Sequence, residues 1–357
     1  SRKFQRRTLF TKHSNGGAWK SYALYLAGFL ILLYGAIFLW PVVPARSNIP
    51  GGSAYKVKIA PQSGLSAISN QLSEQGISTN PLTLQIAARA LFVGSKLKPG
   101  TYLLMSRASL GNILLQIGRG DRVRESVAII PGMTIWQLRS LIDGHPALIH
   151  QTKGMSSKEL LQAINLSYPG DEGLFYPDTY IFDPDDSDIS IYRRASQAMQ
   201  KQLTSACVQI VATSPLKTPY ELLILGSIVE KETGRSSDRS LVAAVFVNRL
   251  KINMPLQTDP TVIYGIGPKF DGNLRKADLR KDSPYNTYMN KGLPPTPIAM
   301  PSKESLLAVM HPAKSDAIYF VARGDGSSHF SKTLKEHENA VDQFQRKRNV
   351  TTKSNSQ

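Results

Sequence analysis

The stretch Ser227-Ile-Val-Glu-Lys-Glu-Thr233 ends an apolar run and carries two acidic residues. The first, Glu230, has the chemistry of interest. Apolar surroundings disfavour a charged carboxylate, and a carboxyl that keeps its proton near neutral pH can act as a general acid. On a helix, Leu223, Gly226 and Ser227 share the face of Glu230. Gly226 and Ser227 are small, so a hollow beside the carboxyl is expected there. Leu222, Leu225 and Val229 form the expected core stripe. Glu232, two positions on, turns about 200° away and cannot pair with Glu230 on one face. It is expected to be structural, binding a loop or a basic neighbour. The residues alone leave a second reading of Glu230 open, a solvated glutamate at a helix end.

Further along, Gln257-Thr-Asp-Pro-Thr-Val-Ile-Tyr264 gathers an amide, a carboxylate and an aromatic ring, and Tyr285-Asn-Thr-Tyr288 adds two more rings. Asp259 precedes Pro260, which predicts extended backbone at Asp259. Gly292-Leu-Pro-Pro-Thr-Pro-Ile298 reads as a stiff wall of polyproline type. Tyrosine faces beside Asn, Gln and Thr suit a ligand with an apolar face and many hydroxyls, as a sugar has. The candidate ligand-binding residues are therefore Ser227, Gln257, Asp259, Tyr264, Tyr285, Asn286 and Tyr288. Other chemistries find no pattern. The six histidines are scattered, with no HExxH or Cys/His ligand spacing, so no metal site is expected. There is no Walker A sequence and no Gly-rich nucleotide fingerprint, so no cofactor is expected. Ser227 lies outside any G-x-S-x-G elbow.

These residues need elements to hold them, and the 357-residue chain supplies an α+β pattern. Residues 1–20 hold six basic residues and no acid, out of a formal net charge of +17. They form a basic segment expected to be cytoplasmic. Residues 21–45 carry no charge at all. A helix over 21–43 is long enough to cross a bilayer. It exceeds the roughly 7–15 residues of a signal-peptide core, and Trp40-Pro-Val-Val-Pro44 is a poor cleavage site. Basic residues lie before the helix, so the remainder is expected outside. The chain begins at Ser1 rather than Met, so further N-terminal residues are expected. Residues 44–54 read as a linker and 55–128 as a small α+β unit. Residues 129–215 form a connecting α+β region, and 216–348 a mainly helical domain with a long Pro/Tyr-rich loop region and a small sheet. A disordered tail is expected over 349–357. The basic balance fits a membrane surface or an anionic polymer; no nucleic-acid-binding motif is present, and nucleic acid is not an expected partner. A single cysteine, Cys207, excludes an intrachain disulfide.

Five motifs in order, Ser227-Ile-Val-Glu-Lys-Glu-Thr233, Val247-Asn-Arg-Leu250, Leu256-Gln-Thr-Asp-Pro-Thr-Val-Ile-Tyr264, Tyr285-Asn-Thr-Tyr288 and Gly292-Leu-Pro-Pro295, resemble the endolytic murein transglycosylase, or YceG-like, family. Glu172-Gly-Leu-Phe-Tyr-Pro-Asp-Thr-Tyr180 and the N-terminal anchor are similar to that family too. The resemblance implies cleavage of nascent peptidoglycan strands between MurNAc and GlcNAc, with Glu230 as the acid, 1,6-anhydro-MurNAc as product, and strand elongation ended. It implies a periplasmic catalytic part on a single-pass inner-membrane anchor, with peptidoglycan synthases as possible partners. It also implies that 55–128 is similar to LysM modules, although the Gly-Asp-Thr of such modules is absent. Two alternatives stay open, a hydrolase pairing Glu230 with Asp259 and a non-catalytic wall-synthesis scaffold.

The charge pattern generates a topology prediction. A reporter fused after residue 357 is expected to be active outside the cytoplasm only, and cytoplasmic activity of that fusion would reverse the orientation.

Overall fold

The computed structural model describes residues 16–207, 214–233 and 235–346. The basic residues expected at 2–12, Gly234 and the expected tail lie outside the described residues. Two compact units divide the chain at Arg124 and Glu125. The first unit begins with α1 (Gly16–Leu39), whose segment Trp19–Leu39 is long and apolar enough to cross a membrane. It continues β1 (Ala54–Ile59), α2 (Leu65–Glu74), α3 (Pro81–Ala90), β2 (Gly100–Met105) and α4 (Leu110–Arg119). Strands β1 and β2 pair antiparallel, Val57 opposite Tyr102. Their inner faces close on Ile68, Leu72, Leu84, Ile113 and Ile117. The helix ends follow local chemistry. Asn80 accepts from Leu82 N with Pro81 in the first turn, and Gly120 closes α4 in the left-handed region at φ 80°.

Helix α1 ends at Leu39, so residues 42–43, expected to finish the membrane helix, and the expected linker 44–54 both bind to the first unit. Val42 and Val43 are buried in this core and both donate to Ala108 O. Asn48 exchanges two 2.6 Å hydrogen bonds with the backbone of Lys56. Pro, Gly and Ser make this stretch turn; its side chains then bind it to its own unit.

The second unit contains β3 (Glu125–Ala128), α5 (Ile135–Asp143), β4 (Leu148–Ile149), α6 (Ser157–Ala163), β5 (Thr179–Phe182), β6 (Asp186–Ser187) and α7 (Asp188–Cys207). It goes on through α8 (Pro219–Glu232), α9 (Arg239–Lys251), α10 (Asp259–Ile266), α11 (Lys303–Met310), β7 (Tyr319–Ala322), β8 (Ser328–Ser331) and α12 (Leu334–Val341). The sheets are two-stranded: β3 with β5 and β7 with β8 antiparallel, β4 with β6 parallel. The strand expected near 123–130 thus belongs with the second unit through β5. No core boundary falls at 215. Leu174, Phe175, Ile191 and Tyr192 share one core with Leu222, Leu225, Ile228, Phe246 and Met300.

Helix α8 is the centre of that core. Thr218 and Glu221 form a capping box, Pro219 takes the first turn, and every residue from Leu222 to Val229 is buried. The expected one-sided stripe is therefore an all-round apolar surface, the pattern of a central helix. The smallness of Gly226 serves packing rather than an open hollow. A Cβ there would come 2.9 Å from Leu306 Cδ2 on α11.

This close crossing predicts that Gly226→Val lowers stability by about 1–3 kcal/mol, the usual cost of overpacking a core. For a unit of this size that is roughly 2–4 °C of melting temperature per kcal/mol. Thermal unfolding followed by circular dichroism is the measurement. An unchanged melting temperature would mean that α8 and α11 separate without cost.

Candidate functional site

Glu230 lies in the last turn of α8, partly buried. Its surroundings are not the apolar ones expected. One oxygen, Oε2, accepts from Ser302 N at 2.9 Å, Ser302 Oγ at 2.5 Å and Ser305 Oγ at 2.6 Å. Ser302 is also the N-cap of α11, accepting from Ser305 N, so the carboxyl sits at a helix N-terminus, a favoured place for an anion. Among the described residues no hydrogen bond reaches Oε1. The turn Pro131–Met133 lies alongside. Gly132, at φ 80°, is close enough that an added Cβ would stand 4.0 Å from Glu230 Cγ. Lys231 Nζ donates to Gly132 O at 3.4 Å, and Gly132 N and Met300 N tie this turn to the chain before Ser302 at 2.8 Å each.

That chain, Thr296–Ser302, runs past Tyr285, Gly173, Ser227 and Glu230. Thr296 Oγ1 lies 2.8 Å from Tyr285 Oη. Pro297 packs against Gly173, where a Cβ would meet it at 2.5 Å. Ile298 N donates to Ser227 Oγ at 3.0 Å. The segment expected to be a stiff polyproline wall continues into this spine.

Glu172, which opens the 172–180 motif, was given no role of its own from the sequence. It is 2% exposed and accepts from Ile135 N at 2.9 Å and Gly173 N at 3.1 Å, which caps α5. Burial pushes its carboxyl up to about 8, against hydrogen bonds from Ile135 N, Tyr264 and Gly173 N that favour the ionised form. Tyr264 stacks on Trp136 at 4.9 Å and meets Tyr285 at 5.0 Å. Burial and the neighbouring Glu172 both raise the Tyr264 phenol. Two of the expected ligand-binding residues, Tyr264 and Tyr285, thus form one aromatic group with Trp136 over Glu172.

The remaining expected residues divide. Asp259 accepts from Tyr288 Oη at 2.6 Å. It lies inside α10 rather than in extended chain, because Pro260 falls in the first turn, where its missing N–H costs no bond. Gln257 is exposed and holds φ at 50°, a left-handed backbone uncommon outside glycine. Two residues do not fit the binding role. Ser227 is fully buried, donating to Ile224 O and accepting from Ile298 N. Asn286 is 1% exposed, and its amide nitrogen bonds the carbonyls of Asp278, Leu279 and Lys281. Both are spent on backbone, as buried polar groups must be.

Glu232 faces away from Glu230 and takes the hydroxyl of Thr258, the residue that opens α10. Burial raises its carboxyl above the usual range. Arg249, itself buried, donates to Ile318 O and Leu256 O at 2.7 Å each. Glu232 is thus a loop-holding group, as its position on the helix implied. Ser302, Ser305 and Trp136 were missed, and Glu172 entered only as the first residue of the 172–180 motif; Ser302 caps α11, a role that gives no hint of its second partner.

Metal-type ligands outside this site come together at Asp143, His150 and Asp188, with ligand atoms within 4.8 Å of one another. Asp188 already accepts from Gln151 N, Thr152 N and Thr152 Oγ1, which pins residues 150–152 to the start of α7.

The YceG-like family profile matches residues 57–343. A Bacillus subtilis (strain 168) protein named endolytic murein transglycosylase is 45% identical over 184 residues, 50% of this chain and 49% of that protein. A Streptococcus pneumoniae (serotype 2, strain D39) protein of the same name is 35% identical over 176 residues, 48% of this chain and 31% of that one. The chain therefore spans about half the length of the first relative and about a third of the second. A solved yceG-like protein of Listeria monocytogenes superposes with a TM-score of 0.50 at 29% identity, covering 80% of this chain and 98% of that one.

The buried Glu172 carboxyl makes a signed pH prediction. Its folded value lies above the unfolded one, so its contribution to stability is fully present below about 4.5 and is lost as pH rises towards about 8. Glu172→Gln is expected to flatten the fall in stability across that window. Denaturant unfolding of both proteins from pH 4.5 to 8 compares the slopes; parallel slopes would mean that Glu172 is ionised throughout.

Proposed function

The chain belongs to the YceG-like family, and on that premise we propose that it is a membrane-anchored endolytic lytic transglycosylase of peptidoglycan, with Glu230 as its single acid. The observation that carries this reading is the one-sided grip on Glu230. Ser302 and Ser305 hold Oε2, and Oε1 keeps its bonding capacity for a substrate. The relatives named endolytic murein transglycosylases point to the same chemistry.

The mechanism needs one carboxyl. Ordinary glycosidases use two flanking carboxylates. A lytic transglycosylase replaces water with the 6-hydroxyl of the MurNAc ring, which attacks its own anomeric carbon. Held in place, that hydroxyl gains from intramolecular proximity. Glu230 protonates the oxygen leaving with GlcNAc. As a carboxylate it then accepts the 6-hydroxyl proton. The bond from the anomeric carbon to the leaving oxygen breaks, a bond to O6 forms, and the product is a 1,6-anhydro-MurNAc end. Protonation and deprotonation at one carboxyl return the enzyme to its starting state. Gln257 and Asp259 are exposed and supply polar contacts to the strand. Asp259 is bonded to Tyr288 and lies among the charges felt by Glu232, which favours the one-acid reading over a pair with Glu230. Helix α1 keeps this chemistry beside the outer face of the membrane, where new strands are made, and cutting them there ends their growth. Strand order β1–α2–α3–β2 supports the LysM-like reading of the first unit.

Glu230→Gln is expected to keep the wild-type melting temperature and lower cleavage by about 10²–10⁴-fold, the usual worth of general acid–base help. A loss of threefold or less would remove Glu230 from the role, since it falls below that range. Digestion by the wild type in water labelled with heavy oxygen is expected to leave the new muramoyl ends unlabelled. Label there would make water the nucleophile and the protein a hydrolase.

A further inference from the structure

We propose that α3 and the turn after it are a second membrane-contacting element, seated in the outer interface of the bilayer beside α1. This rests on the reading of α1 as a membrane span. The apolar segment Trp19–Leu39 has 21 residues, a length of about 31 Å at 1.5 Å per residue. Its outer end does not emerge into open solvent. Leu33 and Ile37 pack into the core of the first unit. Phe38 covers Gly111 on α4, where a Cβ would come 2.6 Å from the ring. Tyr34 Oη donates to Ala90 O at the C-terminus of α3, at 2.8 Å. Tyr34 lies five residues before Leu39, so its backbone sits about 8 Å inside the outer end of the span. Whatever is bonded to Tyr34 at that depth is in the interface too.

The side chains there are those a membrane would take. Leu82 and Ile86 are one turn apart on the outward face of α3, 62% and 48% exposed, opposite buried Leu84, Ala87 and Ala88. Phe92, in the following turn, is 81% exposed and holds a left-handed backbone at φ 56°. A bulky residue pays strain for that conformation, and water rewards neither the strain nor the exposed ring. Arg89 and Lys96, both exposed, give the stripe the basic margin that anionic headgroups would attract. Between α1 and α3 runs an apolar cleft of about 430 Å³, lined by Leu33, Ala36, Ile37, Trp40, Thr83 and Ile86, large enough to admit part of an acyl chain. An apolar helix face with a basic margin lies in the interface with its apolar side about 5–10 Å below the headgroups, which matches the depth set by Tyr34. The occupant is lipid acyl chain, and the first unit is held at the membrane surface by two contacts rather than one tether.

The test uses the full chain in phosphatidylglycerol/phosphatidylcholine vesicles, with Cys207→Ser as background. Single substitutions Leu26→Cys, Ile86→Cys and Phe92→Cys are labelled with an environment-sensitive fluorophore. Lipids carrying a nitroxide near the top of the acyl chain then act as quenchers. Quenching of the Ile86 and Phe92 labels, together with the Leu26 label, is the expected result. If the Leu26 label alone is quenched, the anchor reading stands and the interfacial element is refuted. If no label is quenched, the anchor reading itself fails. Labels at 86 and 92 that are shielded from aqueous iodide yet untouched by lipid quencher would show a protein partner, such as a second copy, on this face, and would overturn the proposal.

Discussion

The grip of Ser302 and Ser305 on Glu230 is the interaction on which the geometry of the candidate site depends. It joins the end of the central helix α8 to the start of α11, and both helices are already locked by the close crossing at Gly226 and Leu306. One serine does two things. Ser302 caps α11 through its lone pairs and holds the carboxylate through its hydrogen. The site is therefore built on rigid helix ends, which hold a reacting group more closely than a loop could.

The spine from Thr296 to Ser302 distributes that rigidity. It bonds Tyr285, Ser227, Gly132, Met133 and Glu230 within seven residues. The prolines at 294, 295, 297 and 301 remove donors that a buried strand would need and pre-set an extended path. Glu172 caps α5 and takes a hydrogen bond from the Tyr264 side chain. The two acids thus have different settings, one buried under aromatics and one half-open at a helix end, which is how one fold gives carboxyls different tasks.

Much of this was legible in the sequence, and the reasons it was are physical. Helix starts are local chemistry, as the side chains of Thr218, Ser302 and Asn80 at the heads of α8, α11 and α3 show, and the 3.6-residue period separated Glu230 from Glu232 correctly. The errors came where tertiary packing decides. Ser227 and Gly226 read as a hollow because a helix wheel does not show what packs against it; α11 fills the space. Asn286 read as a ligand because polar residues in loops look available, yet its amide closes the turns at 278–281. Asp259 read as extended because the rule for residues before proline is a tendency, and the helix start overrides it. The membrane helix read as reaching 43 because an uncharged run does not show that Val42 and Val43 are buried in the first unit's core. Ser305 and Trp136 had no local signal at all, since each matters only through a residue far away in the chain.

The one-oxygen hold on Glu230 has a further consequence. A carboxyl bonded at one oxygen by three donors cannot spin about its last carbon–carbon bond without losing all three. Its two oxygens therefore cease to be equivalent. One is a bearing and the other a working tip, and the tip always points the same way. A polysaccharide strand has a direction, with its two ends chemically different. On the proposed function, a proton delivered from a fixed tip would serve the glycan strand in one polarity only, so the direction of the cut would be set before any substrate arrives.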